Sequence, residues 1–279
     1  MPARFDTILI PVDFSVNTEV AIAKALELAD ERNVTIHLLH VQQQGLMRSF
    51  MKYLTPDAGV NQEKAQHKLD ELKQRIKNLR PSIDINCWLT AEKSIENAIT
   101  QKAGRLAVDL IVIGKHSSGA GWLSFSKVIS ARIAAATGIP VLTAKPGSVN
   151  STVKTVVIPV GPKFPRRKLE ILDAWKNKPG FRIRLVSCLN HEKDDAYSKE
   201  SLLNTFRLLK TNWPGPVEYD VIRGNNRAKA LLNYCTKVNA DMLIVYPGVE
   251  TKTGGLLNRH ISDLLPPNSK TQVLAIQPL

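Results

Sequence analysis

Two stretches of the chain combine residue types that could hold a nucleotide. Asp13 ends the apolar run Thr7-Ile-Leu-Ile-Pro-Val12, and its carboxylate could accept hydrogen bonds from ribose hydroxyls. Gly114-Lys-His-Ser-Ser-Gly-Ala-Gly121 follows the apolar run 109–113, and its glycines could lead phosphates toward a helix N-terminus. Each has a plainer reading, Asp13 as a turn or capping aspartate and the glycines as a flexible loop. Other chemistries lack their residues. The turn Pro11-Val-Asp-Phe-Ser-Val-Asn17 contains no glycine, so a dehydrogenase pyrophosphate turn is absent. No GxxxxGK[ST] phosphate loop and no GxSxG nucleophile elbow occurs. His37 and His40 share a strand without further ligands, and no CxxC, HxxxH or HExxH spacing exists, so no metal site is expected. Cys87, Cys188 and Cys235 are widely spaced in apolar segments and read as buried reduced thiols.

The elements that position Asp13 and Gly114 occur twice. Thr7-Ile-Leu-Ile-Pro-Val-Asp13 matches Thr155-Val-Val-Ile-Pro-Val-Gly161 at an offset of 148, and Asp109-Leu-Ile-Val-Ile113 matches Asp241-Met-Leu-Ile-Val245 at 132. The difference falls on an extra segment, 42–60, in the first half. Nearly continuous apolar runs, the mark of parallel strands covered on both faces, predict strands at 7–12, 34–41, 83–89, 109–113 and 140–144. The second half repeats them at 154–160, 182–188, 217–222, 241–245 and 272–276. Ala65, Leu69, Leu72, Ile76 and Leu79 mark one amphipathic helix face, as do Ile95, Ala98, Ile99 and Leu106, and Val128, Ile129, Ile133 and Ala136. Leu202, Thr205, Phe206 and Leu209 mark a fourth. Asn17 or Thr18 is the expected cap of the first helix, with Glu19 in its first turn.

Strand–helix alternation with short loops predicts an α/β fold of two tandem doubly wound parallel five-stranded sheets, Rossmann-like, each of strand order 3-2-1-4-5. In that order Asp13 and Gly114 flank the point where winding reverses, the expected ligand crevice. The loop composition of 146–151 divides the chain into domains 1–147 and 152–279. The fifth strands, apolar and otherwise exposed as sheet edges, are expected to pair the halves into an intramolecular pseudo-dimer.

The net charge of +13 is uneven: 18 basic against 14 acidic residues give +4 for 1–147, and 20 against 11 give +9 for 148–279. This balance favours an anionic small ligand or an acidic partner surface. An aromatic content of 6% is low for a base-stacking surface, so nucleic acid is the less favoured partner. Lys163, Arg166, Arg167 and Lys168 follow the first strand of the second half, either as a solvated face or as an anion-docking patch. No apolar run approaches the ~18 residues of a membrane span, and the first residues lack a signal-peptide stretch, so a cytoplasmic location is expected.

These motifs bring a resemblance. Over nearly its full length the chain resembles the universal stress protein family in its tandem two-domain form. The resemblance rests on Ile8-Leu-Ile-Pro-Val-Asp-Phe-Ser15, Leu39-His-Val41, Asp109-Leu-Ile-Val-Ile-Gly114 and Gly138-Ile-Pro-Val-Leu142. Members that bind ATP use G-x-x-G-x9-G-[S/T] after strand four, positions held here by Gly114, Ser117, Lys127 and Val128. Only the first matches. The resemblance implies a nucleotide crevice of Asp13, Val41, Ile113, Gly114, Ser117, Lys127 and Val128, degraded because Cβ atoms at Ser117 and Lys127 obstruct phosphate and Val128 donates nothing. In the second half Gly161 replaces the aspartate and Tyr246-Pro-Gly-Val249 replaces the loop, so that ATP site is lost. The resemblance thus implies a non-enzymatic stress-response or regulatory protein that binds a small ligand or a partner, with no certain cofactor. The alternative is an ATP-binding protein with slow hydrolysis in the first-half crevice; a further homodimer stays open.

Overall fold

The computed structural model describes residues 5–29, 34–43, 58–115, 128–189, 195–248, 250 and 261–278. In the first half β1 (Thr7–Val12), α1 (Val16–Ala29), β2 (Thr35–Gln43), α2 (Ala58–Leu79), β3 (Asp84–Glu92), α3 (Ile95–Arg105), β4 (Leu110–Gly114), α4 (Ser130–Thr137) and β5 (Val141–Ala144) alternate. The second half follows with β6 (Thr155–Pro159), α5 (Arg166–Ile171), β7 (Arg182–Leu189), α6 (Asp195–Asn212), β8 (Val217–Arg223), α7 (Arg227–Lys237), β9 (Met242–Val245), α8 (Ile261–Leu264) and β10 (Gln272–Ala275).

The strands form one sheet in the order β3-β2-β1-β4-β5-β10-β9-β6-β7-β8. Each half has the expected 3-2-1-4-5 order, and the two expected five-stranded sheets are fused into ten strands. Every pairing is parallel except β5 with β10, where Val141, Leu142 and Thr143 lie antiparallel to Ala275, Leu274 and Val273. Pairing at the apolar fifth strands removes two edges that would otherwise expose unpaired backbone groups. The seam also makes the two halves antiparallel, so their strand C-termini open at opposite edges of the sheet.

One apolar layer under α1, α2, α5 and α6 runs across both halves, from Ile36 and Leu72 to Leu185 and Leu209. Ile99, Ile133, Leu231 and Ile261 belong to a second layer, under α3, α4, α7 and α8. The duplication extends to polar detail: Asp109 Oδ2 accepts from the Asp6 and Thr7 N–H groups, and Asp241 Oδ2 accepts from those of Lys154 and Thr155. Two helix-face positions differ from their periodicity. Leu79 is 65% exposed because α2 ends there, and Ala136 faces solvent because α4 buries Ala131, Ile133 and Ala134 instead.

The connection between the halves is anchored. Gly147 donates to the Pro267 carbonyl at 2.9 Å, and a Cβ there would lie 2.2 Å from the Asn268 oxygen. Lys24 of α1 is buried, pairs with Glu27 at 2.8 Å and donates to the Ser151 carbonyl. Glu27 in turn accepts from the Val153 N–H at 2.8 Å. Phe5 of the first half meets Trp175 of the second edge-on, centroids 5.8 Å apart. No helix among the described residues is long and apolar enough to cross a membrane.

Candidate functional site

The candidate crevice of the first half lies where β1 and β4 end. Asp13 is half-buried, and its Oδ1 accepts from the Ser15 N–H at 3.0 Å, the Ser15 hydroxyl at 2.6 Å and the Thr18 hydroxyl at 3.0 Å. Oδ2 has the single longer contact, 3.3 Å to Asn17 Nδ2. The carboxylate therefore organises the β1–α1 turn, leaving Oδ2 the less committed atom. Capping differs from expectation. The Ser15 hydroxyl accepts from the Asn17 N–H at 3.1 Å, whereas Thr18 turns its hydroxyl back to accept from the Asp13 and Phe14 N–H groups. Those bonds hold Phe14 in the left-handed region at φ 58, a conformation costly for a side chain with a Cβ. Its ring packs 4.5 Å from that of His40, which donates through Nδ1 to the Val12 carbonyl. Burial pushes the His40 pKa below its ordinary value, favouring the neutral ring.

Gly114 is required by packing. A Cβ built on it would lie 1.8 Å from the Asn17 carbonyl oxygen, so β4 and the start of α1 meet backbone to backbone. Val41 and Ile113 are buried, Ile113 completely, in the layer under α3 and α4. Val128 is buried in the same layer, and its carbonyl accepts from Lys115 Nζ at 2.8 Å. Ser117 and Lys127 lie outside the described residues.

The head of α4, toward which the loop would lead a phosphate, already has an anion. Glu96 Oε1 accepts from the Ile129 N–H at 2.7 Å, and Glu96 Oε2 lies 3.9 Å from the Arg132 guanidinium. Sequence reasoning missed Glu96, which reads locally as a first-turn residue of α3. Lys115, the one cation adjoining Gly114 in sequence, is buried and pairs with Asp263 of the second half. Lys145 is buried there too; desolvation, with the Lys115 ammonium adding repulsion, lowers its pKa to about 8. Asn17 Oδ1 is buried without a partner. Among the described residues, therefore, the Asp13 carboxylate is an acceptor at the end of β1 and the Glu96 carboxylate an acceptor at the head of α4, while the loop that carries Ser117 and Lys127 lies outside the described residues.

The second half fills its corresponding space. Lys168, one of the four clustered cations of the sequence, is fully buried and belongs neither to a solvated face nor to a docking patch. Its Nζ pairs with Glu250 at 2.7 Å, donates to the Pro159 carbonyl at 2.8 Å and lies 4.3 Å from the Tyr246 ring centroid. Glu250 also accepts from the Tyr246 N–H. Tyr246 stands where the first half has Gly114, so an aromatic ring and an internal ion pair occupy the region around the end of β9. Arg166 and Arg167 both face Glu170, while Lys163 remains exposed. Of the three cysteines, Cys235 is buried and Cys87 and Cys188 are half-buried; burial raises all three thiol pKa values.

Comparison with known proteins agrees with this architecture. A universal stress protein from Archaeoglobus fulgidus DSM 4304 superimposes with a TM-score of 0.69 at 16% identity, covering 99% of this chain and 97% of that one. A functionally unknown protein from Pseudomonas aeruginosa PAO1 superimposes with a TM-score of 0.55 at 13% identity, covering 98% and 93%. At such identities the likeness concerns the fold alone. No protein of curated function matches the sequence. The universal stress protein family matches residues 4–145, just over half of the sequence, and the chain belongs to that family.

Proposed function

We propose that the protein is a non-enzymatic universal-stress-type protein that acts in stress response or regulation by binding a small ligand or a partner. In this reading residues 1–147 and 152–279 are two domains, the first with a crevice unsuited to ATP and the second without one. A cytoplasmic location belongs to the same proposal. The observation that carries it is the Glu96 carboxylate on the Ile129 N–H at the head of α4. A donor that a phosphate would use is already taken, and the carboxylate adds repulsion. Losing one charge-assisted phosphate contact costs about 1.5–3 kcal/mol, or roughly ten- to hundredfold in affinity. Two such losses carry a micromolar site to about millimolar. The Asp13 carboxylate, with Oδ2 its less committed oxygen, suits a ligand bearing hydroxyl or amine donors.

Titration calorimetry with Mg-ATP and with adenosine tests this. Weak or absent ATP binding is expected, with adenosine bound at least as well, because it carries no phosphate to meet Glu96. The combined Ser117→Gly, Lys127→Gly and Glu96→Gln variant should bind ATP more tightly than the parent chain. Micromolar Mg-ATP binding by the unmodified protein, or turnover of ATP to ADP, overturns the proposal.

A further inference from the structure

The charge excess of the second half has a focus away from either crevice. β8 is the last strand of the sheet, so its outward backbone groups have no strand partner among the described residues. On the face beneath α6, Val217 is buried, but the next two residues of that face are not: Tyr219 is 43% exposed and Val221 is 45% exposed. Arg223 follows them at the same alternation and is exposed. Lys199, Leu203, Phe206 and Lys210 of α6 follow the four- and three-residue spacing of a single helical stripe. That stripe faces β8, because the Phe206 ring packs on the Tyr219 ring with centroids 4.8 Å apart. Leu203 is 36% exposed, and both lysines are exposed. The result is an apolar strip, Leu203, Tyr219 and Val221, beside an open strand edge and rimmed by Lys199, Lys210 and Arg223.

The acidic residues of β8 do not cancel this rim. Glu218 and Asp220 belong to the opposite face, where Arg184 pairs with Glu218 at 2.8 Å and lies 3.5 Å from Asp220. Tyr234 also donates to Asp220. Edge strands of globular proteins are ordinarily shielded by charge or a covering element; here the apolar face of the edge is uncovered among the described residues.

We propose that the β8 edge is a docking site for an extended, acidic–apolar segment of a partner protein, which adds as an eleventh strand. The open edge supplies the backbone pairing, Tyr219, Val221 and Leu203 accept alternate apolar side chains, and the cationic rim on the same face selects acidic residues that flank them in the same register. A second copy of this chain is disfavoured, since self-pairing brings the two cationic rims together on halves that each carry +9 over residues 148–279. This proposal is independent of the crevice and of any nucleotide.

The test uses the full chain and two labelled nine-residue peptides with Val at the three central odd positions and Thr at the even ones, one with Glu and one with Lys at the two terminal odd positions, so that charge and valines share one face. Binding is followed by fluorescence anisotropy. Saturable binding of the acidic peptide is expected, at least tenfold tighter than that of the basic peptide. Tyr219→Asp with Val221→Asp should weaken it at least tenfold. Lys199→Glu with Lys210→Glu should invert the charge preference, which an unfolded variant would not do. Amide exchange should slow in β8 on saturation. The proposal is overturned by equal affinity for the two peptides, by no saturable binding, or by acidic-peptide affinity unchanged in the variants. It is equally overturned if the edge is occupied by a second copy, seen as a dimer that Val221→Asp dissociates, or if a uridine oligonucleotide outcompetes the acidic peptide there.

Discussion

At Gly114 one methyl group would strike the Asn17 carbonyl oxygen 1.8 Å away, and no rotation of a side chain relieves a backbone clash. Gly114→Ala should therefore destabilise the protein by about 3 kcal/mol or more, read by urea denaturation. A loss below about 0.5 kcal/mol would mean that the close approach is dispensable. Lys145 makes a prediction of opposite sign. Its folded pKa of about 8 lies below the ordinary 10.5, so the unfolded chain binds more protons between those values. Burial of the charged amine thus opposes folding most below pH 8, and stability attributable to this group rises from pH 8 to 10.5. Lys145→Met should raise stability by about 2 kcal/mol at pH 7, with the advantage fading by pH 10.5. Denaturation series at pH 7 and pH 10 check both parts.

Among the elements, the strands were legible because a parallel sheet covered on both faces demands uninterrupted apolar runs, and Ile8–Val12 and Met242–Val245 are short runs of that kind, rich in β-branched residues and buried throughout. Helix faces were legible where the helix continued, as at Leu69, Leu72 and Ile76, and failed near its end, as at Leu79. The nucleotide crevice was legible only in outline. Asp13 and Gly114 stand at adjacent strand ends as expected, and the turn role of Asp13 was among its local readings, because its partners Ser15, Asn17 and Thr18 follow within five residues. The bond from Ile129 to Glu96 was not legible, because 33 residues separate the two. Lys168 shows the same limit: in sequence it is one of four clustered cations, and only the return of Glu250 from a loop 82 residues away makes it a buried pair. The α1 face has a comparable dependence. Glu27→Ala would leave the buried Lys24 ammonium without its carboxylate and release the Val153 N–H, a loss of about 3 kcal/mol. Denaturant midpoints should show it, and the double change Lys24→Met, Glu27→Leu should recover most of the loss. A double variant as unstable as Glu27→Ala would assign the effect to the linker bond alone.

At the scale of the whole molecule, a sheet without interruption and two apolar layers shared by both halves predict that the halves melt together. Scanning calorimetry should give one transition whose van't Hoff and calorimetric enthalpies agree; two resolved transitions would refute the coupling. Val141→Glu places a carboxylate at a fully buried seam position and should abolish the folded state or separate the halves.

The seam contact between Lys115 and Asp263 has a consequence for symmetry. In an assembly of two identical chains every contact across the axis is made twice, once in each direction. Here the residues that would form the mirror contact are Pro247 and Ala131, which can exchange neither a proton nor a charge. Two copies of the first half alone would bury Lys115 and Lys145 twice over against Ala131, with no carboxylate to receive them. Within one chain the two sides of the seam need not match, and the pair of Lys115 with Asp263 is a contact that only two unlike halves can make.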